Sequence, residues 1–151
     1  MPGLKVTSSA YSEGQAIPAE FTCDGSDQSP PLVVEGIPPG AAFLAIILDD
    51  PDAPRGTWTH WTLWDLPAKH NHLPAGVAVN SLGARQGMTT AGTVGYHGPC
   101  PPSGTHRYIV HAFATAKPLG LPAGASVEAV HAALAGVAMA KGTLTGRYAR
   151  S

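Results

Sequence analysis

Apolar residues occur along this chain mostly in short runs and alternations, a pattern that predicts strands over most of its length. Residues 43–48 (FLAIIL) form an unbroken apolar run that stops at two aspartates and a proline. Such a short run is typical of a strand buried on both faces. Residues 58–64 (WTHWTLW) and 108–114 (YIVHAFA) predict two more strands, and residues 4–8 and 143–148 are weaker candidates near the ends.

Strand alternation also predicts how the side chains of residues 58–64 divide between the two faces of a sheet. All three tryptophans of this segment are expected to be core residues rather than a stacking platform for a ligand. One face is expected to carry Trp58, His60, Thr62 and Trp64, and the other Thr59, Trp61 and Leu63.

One segment, residues 127–141, has the periodicity of an amphipathic helix. Ser126 is a suitable N-cap, Glu128 lies in the first turn where the helix dipole favours a carboxylate, and Gly142 stands in the usual stop position. Strands outnumber helices, and the connections are too short for repeated βαβ crossovers. The sequence therefore predicts a mostly β protein, an antiparallel β-sandwich with a late helix, folded as one domain over residues 1–151.

The overall charge excludes some classes of partner. The 151 residues carry a formal net charge of −1 and include 18 glycines and 15 prolines. No basic excess is present to bind nucleic acid or an anionic bilayer. No apolar run approaches the roughly 20 residues of a transmembrane helix. Residues 1–14 show no signal-peptide pattern, so we expect a cytoplasmic protein.

The chain has two cysteines, Cys23 and Cys100. In a reducing compartment their simplest interpretation is a pair of free thiols. Both lie in loop-like segments rich in proline and glycine, and the sequence leaves a bridge between them open.

Residues 49–61 (DDPDAPRGTWTHW) combine carboxylates, prolines and an imidazole in one short segment. The predicted buried strand delivers Asp49, Asp50 and Asp52 at its end, and the next strand carries His60 back. A stiff loop that holds carboxylates near an imidazole suits ligand binding or acid–base chemistry. A solvated acidic turn between two strands is the alternative.

Residues 95–108 (GYHGPCPPSGTHRY) form a second unusual segment. Its glycines and prolines suit a loop whose successive backbone N–H groups point into one anion-binding concavity. His106 and Tyr108 follow at the start of a strand on one side, with Arg107 on the other. The alternative is a proline-rich turn in which Arg107 pairs with a structural carboxylate.

Taken together, four stretches resemble the phosphatidylethanolamine-binding protein (PEBP) family, in particular its bacterial, Raf-kinase-inhibitor-like branch. They are FTCDGSDQSPPL (21–32), ILDDPDAPRGTWTHWTLWDLPA (47–68), GYHGPCPPSGTHRY (95–108) and GTLTGRYAR (142–150), in the family's order. The resemblance implies the family's fold, a large antiparallel sheet packed on a smaller one with a helix near the C-terminus. It also implies a shallow pocket for phosphate, carboxylate or phospholipid head groups.

The same resemblance implies roles for individual residues. In the family Arg107 looks structural, and the peptide bond between Ala53 and Pro54 is expected to be cis. An anion beside two carboxylates needs compensation from protonated imidazoles and N–H donors, so binding should weaken as the pH rises through the pKa values of the histidines. The implied ligand-binding residues are Asp50, Asp52, His60, Gly98, Cys100, His106 and Tyr108, with Gly98 and Cys100 contributing loop backbone.

The sequence departs from its bacterial relatives at three places. Val34 and His97 stand where those relatives often have Trp and Gly. Residues 86–92 (QGMTTAG) lack the Asn-Asp-aromatic-Gly segment that commonly precedes the loop. These changes imply a wider pocket with one additional imidazole, and they bear on the ligand more than on the fold.

The remaining histidines and cysteines predict no metal site and no cofactor. His70 and His72 lie in a polar turn with no further ligands nearby. His97, Cys100 and His106 lack the close paired spacing of a zinc site. A nucleophilic role for Cys100 beside a histidine is a weaker alternative.

Two functions of different classes stay open. The first, which we favour, is a module that binds a small anionic or phosphate-bearing ligand and modulates a protein partner. The second is a biosynthetic enzyme of isomerase, cyclase or epimerase type, in which Asp50, His60, His97 and His106 perform acid–base chemistry on a small metabolite. An inhibitory surface formed by the loops is a third, weaker interpretation. The family resemblance also suggests a homodimer.

Overall fold

Two antiparallel sheets dominate the computed structural model, which describes residues 3–77 and 81–150. The elements are β1 (Lys5–Thr7), β2 (Leu32–Glu35), β3 (Phe43–Asp50), β4 (Trp58–Pro67), β5 (His72–Leu73), β6 (Arg85–Gln86), β7 (His106–Thr115), α1 (Val127–Ala135) and β8 (Ala138–Tyr148), with 3-10 turns at Ala19–Phe21, Ala68–His70 and Ser81–Gly83. The smaller sheet has the strand order β1-β2-β5, and the larger has the order β6-β4-β3-β7-β8. The predicted β-sandwich with a late helix is confirmed.

β3 is the central strand of the larger sheet, with β4 on one side and β7 on the other. Leu44, Ile46 and Leu48 are buried in the core between the two sheets. Ala45 and Ile47 point the other way and are buried beneath α1. Both faces of β3 are therefore covered, as its unbroken apolar run predicts.

α1 is shorter than the helix over residues 127–141 that the periodicity predicts, so that expectation is wrong in its second half. Ser126 caps the start by accepting a hydrogen bond from the N–H of Ala129 at 3.1 Å. The helix ends at Ala135, and β8 begins at Ala138 and pairs with β7 along its length. This long ladder outweighs the helical propensity of the alanines. Within the described residues no helix is long and apolar enough to cross a membrane.

The pairing of β4 with β3 shifts register at two places, and the one nearer the end of β3 concerns His60. Two successive residues of β3 pair with Trp61 and Thr59, so His60 is an additional residue between them and forms a bulge. Trp61 is buried in the core between the sheets, whereas Trp64 is buried beneath α1. The predicted shared face of His60 and Trp64 is therefore wrong, because the bulge shifts the alternation between them.

The two cysteines form a disulfide, Cys23–Cys100, with their Cα atoms 5.5 Å apart. The expectation of two free thiols is wrong because the fold brings together two loops that lie 77 residues apart in the sequence. A backbone hydrogen bond from the N–H of Cys23 to the carbonyl of Pro99, at 3.1 Å, joins the same two loops. The pocket-side loop is thus tied to the segment that follows Phe21.

Candidate functional site

A cavity of about 270 Å³ opens where the end of β3, the start of β4, the start of β7 and the loop around Cys100 meet. Its polar lining comes from both segments that the sequence singles out: Asp50, His60, His97, His106 and Tyr108. The rest of the lining is mainly apolar: Ala53, Pro54, Trp58, Cys100, Pro101 and Pro102. The fold therefore brings one carboxylate, three imidazoles and one phenol into a single hollow.

Asp50 and His106 form a buried pair at the base of neighbouring strands. The Nδ1 of His106 lies 2.6 Å from Oδ2 of Asp50. The other carboxylate oxygen accepts the backbone N–H of Asp52 at 2.8 Å. Because a carboxylate accepts, Nδ1 of His106 carries the proton, and Nε2 is the ring nitrogen left for a ligand. Asp50 thus orients His106 and has both of its own oxygens engaged.

His60 is held by the loop that faces it. Its Nδ1 lies 2.6 Å from the carbonyl oxygen of His97, and the N–H of His97 donates back to the carbonyl of His60 at 2.9 Å. A carbonyl accepts, so Nδ1 of His60 also carries a proton and Nε2 remains for a ligand. Burial lowers the pKa of His60, although the His97 carbonyl and the Asp50 carboxylate partly oppose this. His60 is therefore a neutral imidazole near neutral pH.

Tyr108 lies between the two histidines. Its ring centroid is 5.4 Å from that of His60 and 6.4 Å from that of His106. The hydroxyl is buried and makes no hydrogen bond of good geometry within the described residues, although the Asp50 carboxylate lies close to it. Burial, and next the charge of Asp50 and its approach to the hydroxyl, raise the pKa of Tyr108 well above its ordinary value. The phenol therefore stays protonated and keeps a proton to donate.

Trp58 lies on the wall of the cavity and is 36% exposed, so its expected place in the core is wrong. Trp58 is the first residue of β4 and lies where the cavity opens, so the core does not reach its side chain. Trp61 and Trp64 do lie in the core, and their indole N–H groups donate to Oε1 of Gln86 and to a backbone carbonyl. An exposed indole at a cavity mouth suits the flat or apolar part of a ligand.

Two backbone N–H groups of the loop bond within the protein rather than facing a ligand. The N–H of His97 bonds to His60, and that of Gly98 donates to Oδ1 of Asp27 at 2.8 Å. The prolines that flank Cys100 have no N–H. Of the two backbone positions that the sequence suggested for a ligand, Gly98 is therefore engaged by Asp27, whereas Cys100 lies in the cavity lining. Gly98 does not line the cavity, and a Cβ there would meet the carbonyl of Phe21 at 2.7 Å.

Asp52 also lies outside the cavity lining. Its carboxylate accepts three hydrogen bonds from Arg107: the backbone N–H at 2.9 Å, Nε at 3.0 Å and Nη2 at 2.9 Å. These bonds lower the pKa of Asp52 to about 2. Pairing of Arg107 with a structural carboxylate, one of the two interpretations of the sequence, is what the structure shows. The expected cis bond between Ala53 and Pro54 is absent, since the described peptide bonds are all trans.

The structure also changes the expected roles of Cys100, Val34 and residues 86–92. Cys100 lines the cavity, but its sulfur is bonded to Cys23, so it serves neither as a thiolate nucleophile nor as a zinc ligand. Val34 is buried between the sheets and residues 86–92 also lie outside the cavity lining. Those two departures therefore do not widen the pocket, and the added imidazole of His97 is the one that reaches it.

Two features of the site were not predicted from the sequence: the role of Asp27 and the apolar lining of the cavity beside Trp58. Asp27 holds Gly98 in place from the FTCDGSDQSP stretch, and its φ of 57° puts it in the left-handed region. An aspartate that follows Gly and Ser in a turn was a signal for such a side-chain to backbone bond. Within the described residues no group of three or more histidines, cysteines or carboxylates is arranged to hold a metal ion.

Comparisons with known proteins agree with this architecture. A family model described as phosphatidylethanolamine-binding protein matches residues 7–149. A UPF0098 protein of Methanothermobacter thermautotrophicus is 41% identical over 150 residues, covering 97% of this chain and 99% of the relative. A UPF0098 protein of Aquifex aeolicus is 41% identical over 154 residues, covering 97% and 89%.

Two solved structures are similar over nearly the whole chain. The PEBP homolog CT736 from Chlamydia trachomatis has a TM-score of 0.92 at 35% identity, covering 100% of both chains. YbcL of E. coli, described as a member of the mammalian PEBP family, has a TM-score of 0.90 at 28% identity, covering 98% of this chain and 99% of its own.

Proposed function

Because the chain belongs to the phosphatidylethanolamine-binding protein family, we propose that it binds a small ligand with an anionic head in the cavity between His60 and His106. The head is a phosphate or a carboxylate. The observation that carries the proposal is the buried hydroxyl of Tyr108, which lies between two imidazoles and makes no hydrogen bond of good geometry with any residue that the structure describes. A buried donor of this kind supports a ligand that brings an oxygen acceptor.

The rest of the ligand would contact the apolar wall. Trp58, Pro54 and Pro101 offer flat or aliphatic surface beside the polar base. The cavity of about 270 Å³ is at or below the lower end of the usual range for small-molecule sites. A compact metabolite or the head group of a larger molecule therefore fits this proposal better than a whole lipid. Modulation of a protein partner and formation of a homodimer stay predictions from the sequence.

Thermal denaturation tests the proposal. Phosphate or acetate at about 100 times its Kd should stabilise the fold by about 2.7 kcal/mol, which is about 5–10 °C in Tm for a chain of this size. His60→Ala should abolish the shift. His131→Ala removes an exposed imidazole on α1 and should keep it. A shift of equal size in both variants would contradict binding at this cavity.

An acid–base enzyme is a second candidate, and the Asp50–His106 pair at 2.6 Å favours it. A carboxylate that fixes the tautomer of a histidine and leaves Nε2 facing a cavity is the arrangement of a general base. In D2O such an enzyme would place deuterium on a carbon of a bound ligand, which NMR detects. Loss of that exchange in Asp50→Asn and in His60→Ala would support catalysis. Binding without exchange would leave the protein as a binding module.

A further inference from the structure

We propose that the cavity selects oxyanions that keep a hydroxyl proton over fully deprotonated oxyanions of the same size. This inference rests on the proposed function, because it assigns a ligand class to the same cavity. Inorganic phosphate belongs to the preferred class near neutral pH, and sulfate to the rejected class.

His60 and His106 each donate their Nδ1 proton to an acceptor within the protein. His60 donates to the carbonyl of His97 and His106 donates to the carboxylate of Asp50, each at 2.6 Å. These two contacts fix the tautomer of each ring when it is neutral. The nitrogen that remains for a ligand is Nε2 in both rings, and in the neutral state Nε2 is an acceptor.

The base of the cavity therefore offers a ligand an acceptor beside a donor. Nε2 of His60 is a lone pair while that imidazole is neutral, and the hydroxyl of Tyr108 beside it is a donor. The described lining residues include no lysine and no arginine; the rings of His97 and Trp58 each add one N–H, and the carboxylate of Asp50 contributes a negative charge. A fully deprotonated oxyanion would place its lone pairs against the lone pair of His60.

A hydroxyl on the oxyanion resolves this conflict. Its O–H donates to Nε2 of a neutral imidazole, while another of its oxygens accepts from the phenol of Tyr108. Neither sulfate nor a carboxylate has such a hydroxyl near neutral pH, and either would bind only after an imidazole takes up a proton. The selectivity therefore follows from the pattern of donors and acceptors rather than from net charge.

The charged and titratable groups around His60 decide at which pH its imidazole takes up a proton. Asp50 faces it from β3, Tyr108 and His106 from β7, His97 from the loop, and Asp27 from the segment before β2. Burial lowers the pKa of His60 despite the two nearby carboxylates. Sulfate binding should consequently weaken as the pH rises, and phosphate binding should weaken less.

Isothermal titration calorimetry with three probes tests the inference. At about pH 8, inorganic phosphate keeps one proton and should bind at least about tenfold more tightly than sulfate. Methyl phosphate loses its remaining proton near pH 6, so it should follow phosphate below that pH and sulfate above it. Titrations in two buffers of different ionisation enthalpy should show that sulfate binding takes up about one proton.

Equal affinities of phosphate and sulfate at about pH 8, or sulfate binding without proton uptake, would overturn the selectivity while leaving the proposed function intact. If none of the three probes binds at any pH, the proposed function fails and this inference fails with it.

Two variants locate the selectivity in the cavity. His60→Gln places an amide there that can either donate or accept, and it should bring the two affinities together. His111→Gln is the matched control, because His111 also contacts a carboxylate, Asp49, at 3.1 Å, but lies outside the cavity lining. An unchanged preference for phosphate in His60→Gln would contradict the assignment to this imidazole. Should that variant fail to fold, the proton uptake of the wild-type protein still decides the question.

Discussion

Removal of the Cys23–Cys100 disulfide should lower stability while leaving the cavity formed. The bridge joins residues that lie 77 positions apart, so it restricts a large part of the unfolded chain. The chain-entropy relation gives about 4.5 kcal/mol for a closed loop of that length, and natural bridges commonly contribute about 2–4 kcal/mol. For a chain of this size that is a fall in Tm of about 4–16 °C.

Hydrogen bonds around the bridge explain why the cavity should survive its removal. The N–H of Cys23 donates to the carbonyl of Pro99 at 3.1 Å, and the hydroxyl of Tyr96 donates to the carbonyl of Phe21 at 2.6 Å. The N–H of Gly98 donates to Asp27 at 2.8 Å. Each such bond contributes about 1 kcal/mol, so the two loops stay adjacent in the folded state without the sulfur link.

Thermal denaturation of the double variant Cys23→Ser/Cys100→Ser, with and without a reducing thiol, measures the effect. The wild-type protein after reduction should match the double variant, and the thiol should not change the variant further. The stabilisation by phosphate should persist in both. An unchanged Tm after mass spectrometry has shown complete reduction of the wild-type protein would refute the reasoning about loop closure.

Three further predictions concern single contacts near the cavity. Asp50→Asn breaks the buried pair with His106 and should lower the free energy of unfolding by about 3 kcal/mol in urea titrations, together with loss of phosphate binding. Gly98→Ala forces a Cβ against backbone of the neighbouring loop and should cost about 1–3 kcal/mol in the same assay. Arg107→Gln should return the pKa of Asp52 from about 2 toward its ordinary value, as NMR titration of the carboxyl carbon would show. Because the pKa of Asp52 is lowered in the folded state, its ion pair stabilises the fold above about pH 4, and this contribution is lost as the pH falls toward 2; for so exposed a pair it should stay below about 1 kcal/mol. If Asp50→Asn loses no more stability than Arg107→Gln, the buried pair of Asp50 and His106 contributes no more than the exposed pair of Asp52 and Arg107, and the reasoning from burial is wrong.

The central strands could be predicted from the sequence because their apolar pattern follows their burial. The apolar run at residues 43–48 becomes β3, which is covered on both faces, and residues 108–114 lie within β7, whose side chains mostly alternate between buried and half-buried. The end of α1 could not be predicted in the same way. The alanines around position 138 are good helix formers, and only the partner strand β7 makes them extended.

The polar residues that line the cavity could be predicted from the sequence, but the hydrogen bonds that they make could not. Asp50, His60, His106 and Tyr108 come together as the two segments suggested. The partners of each polar atom depend on distances that a sequence does not contain. Asp52, two residues from Asp50, bonds Arg107 outside the cavity, because the turn after β3 aims the two carboxylates in different directions.

The bulge in β4 shows why strand alternation alone could not place His60 beside Tyr108. Strict alternation from Trp61, which fills the core, would send His60 to the opposite face and away from Tyr108. The extra residue lets both side chains point inward, so the imidazole reaches the phenol at 5.4 Å while the indole stays buried. The same shift turns Thr59, which stays buried, to the opposite face of the sheet and brings Trp58 back to the cavity wall. The cavity thus depends on a local break in the alternation on which strand prediction relies, and deletion of one residue at this bulge should remove the polar site while the sheet still pairs.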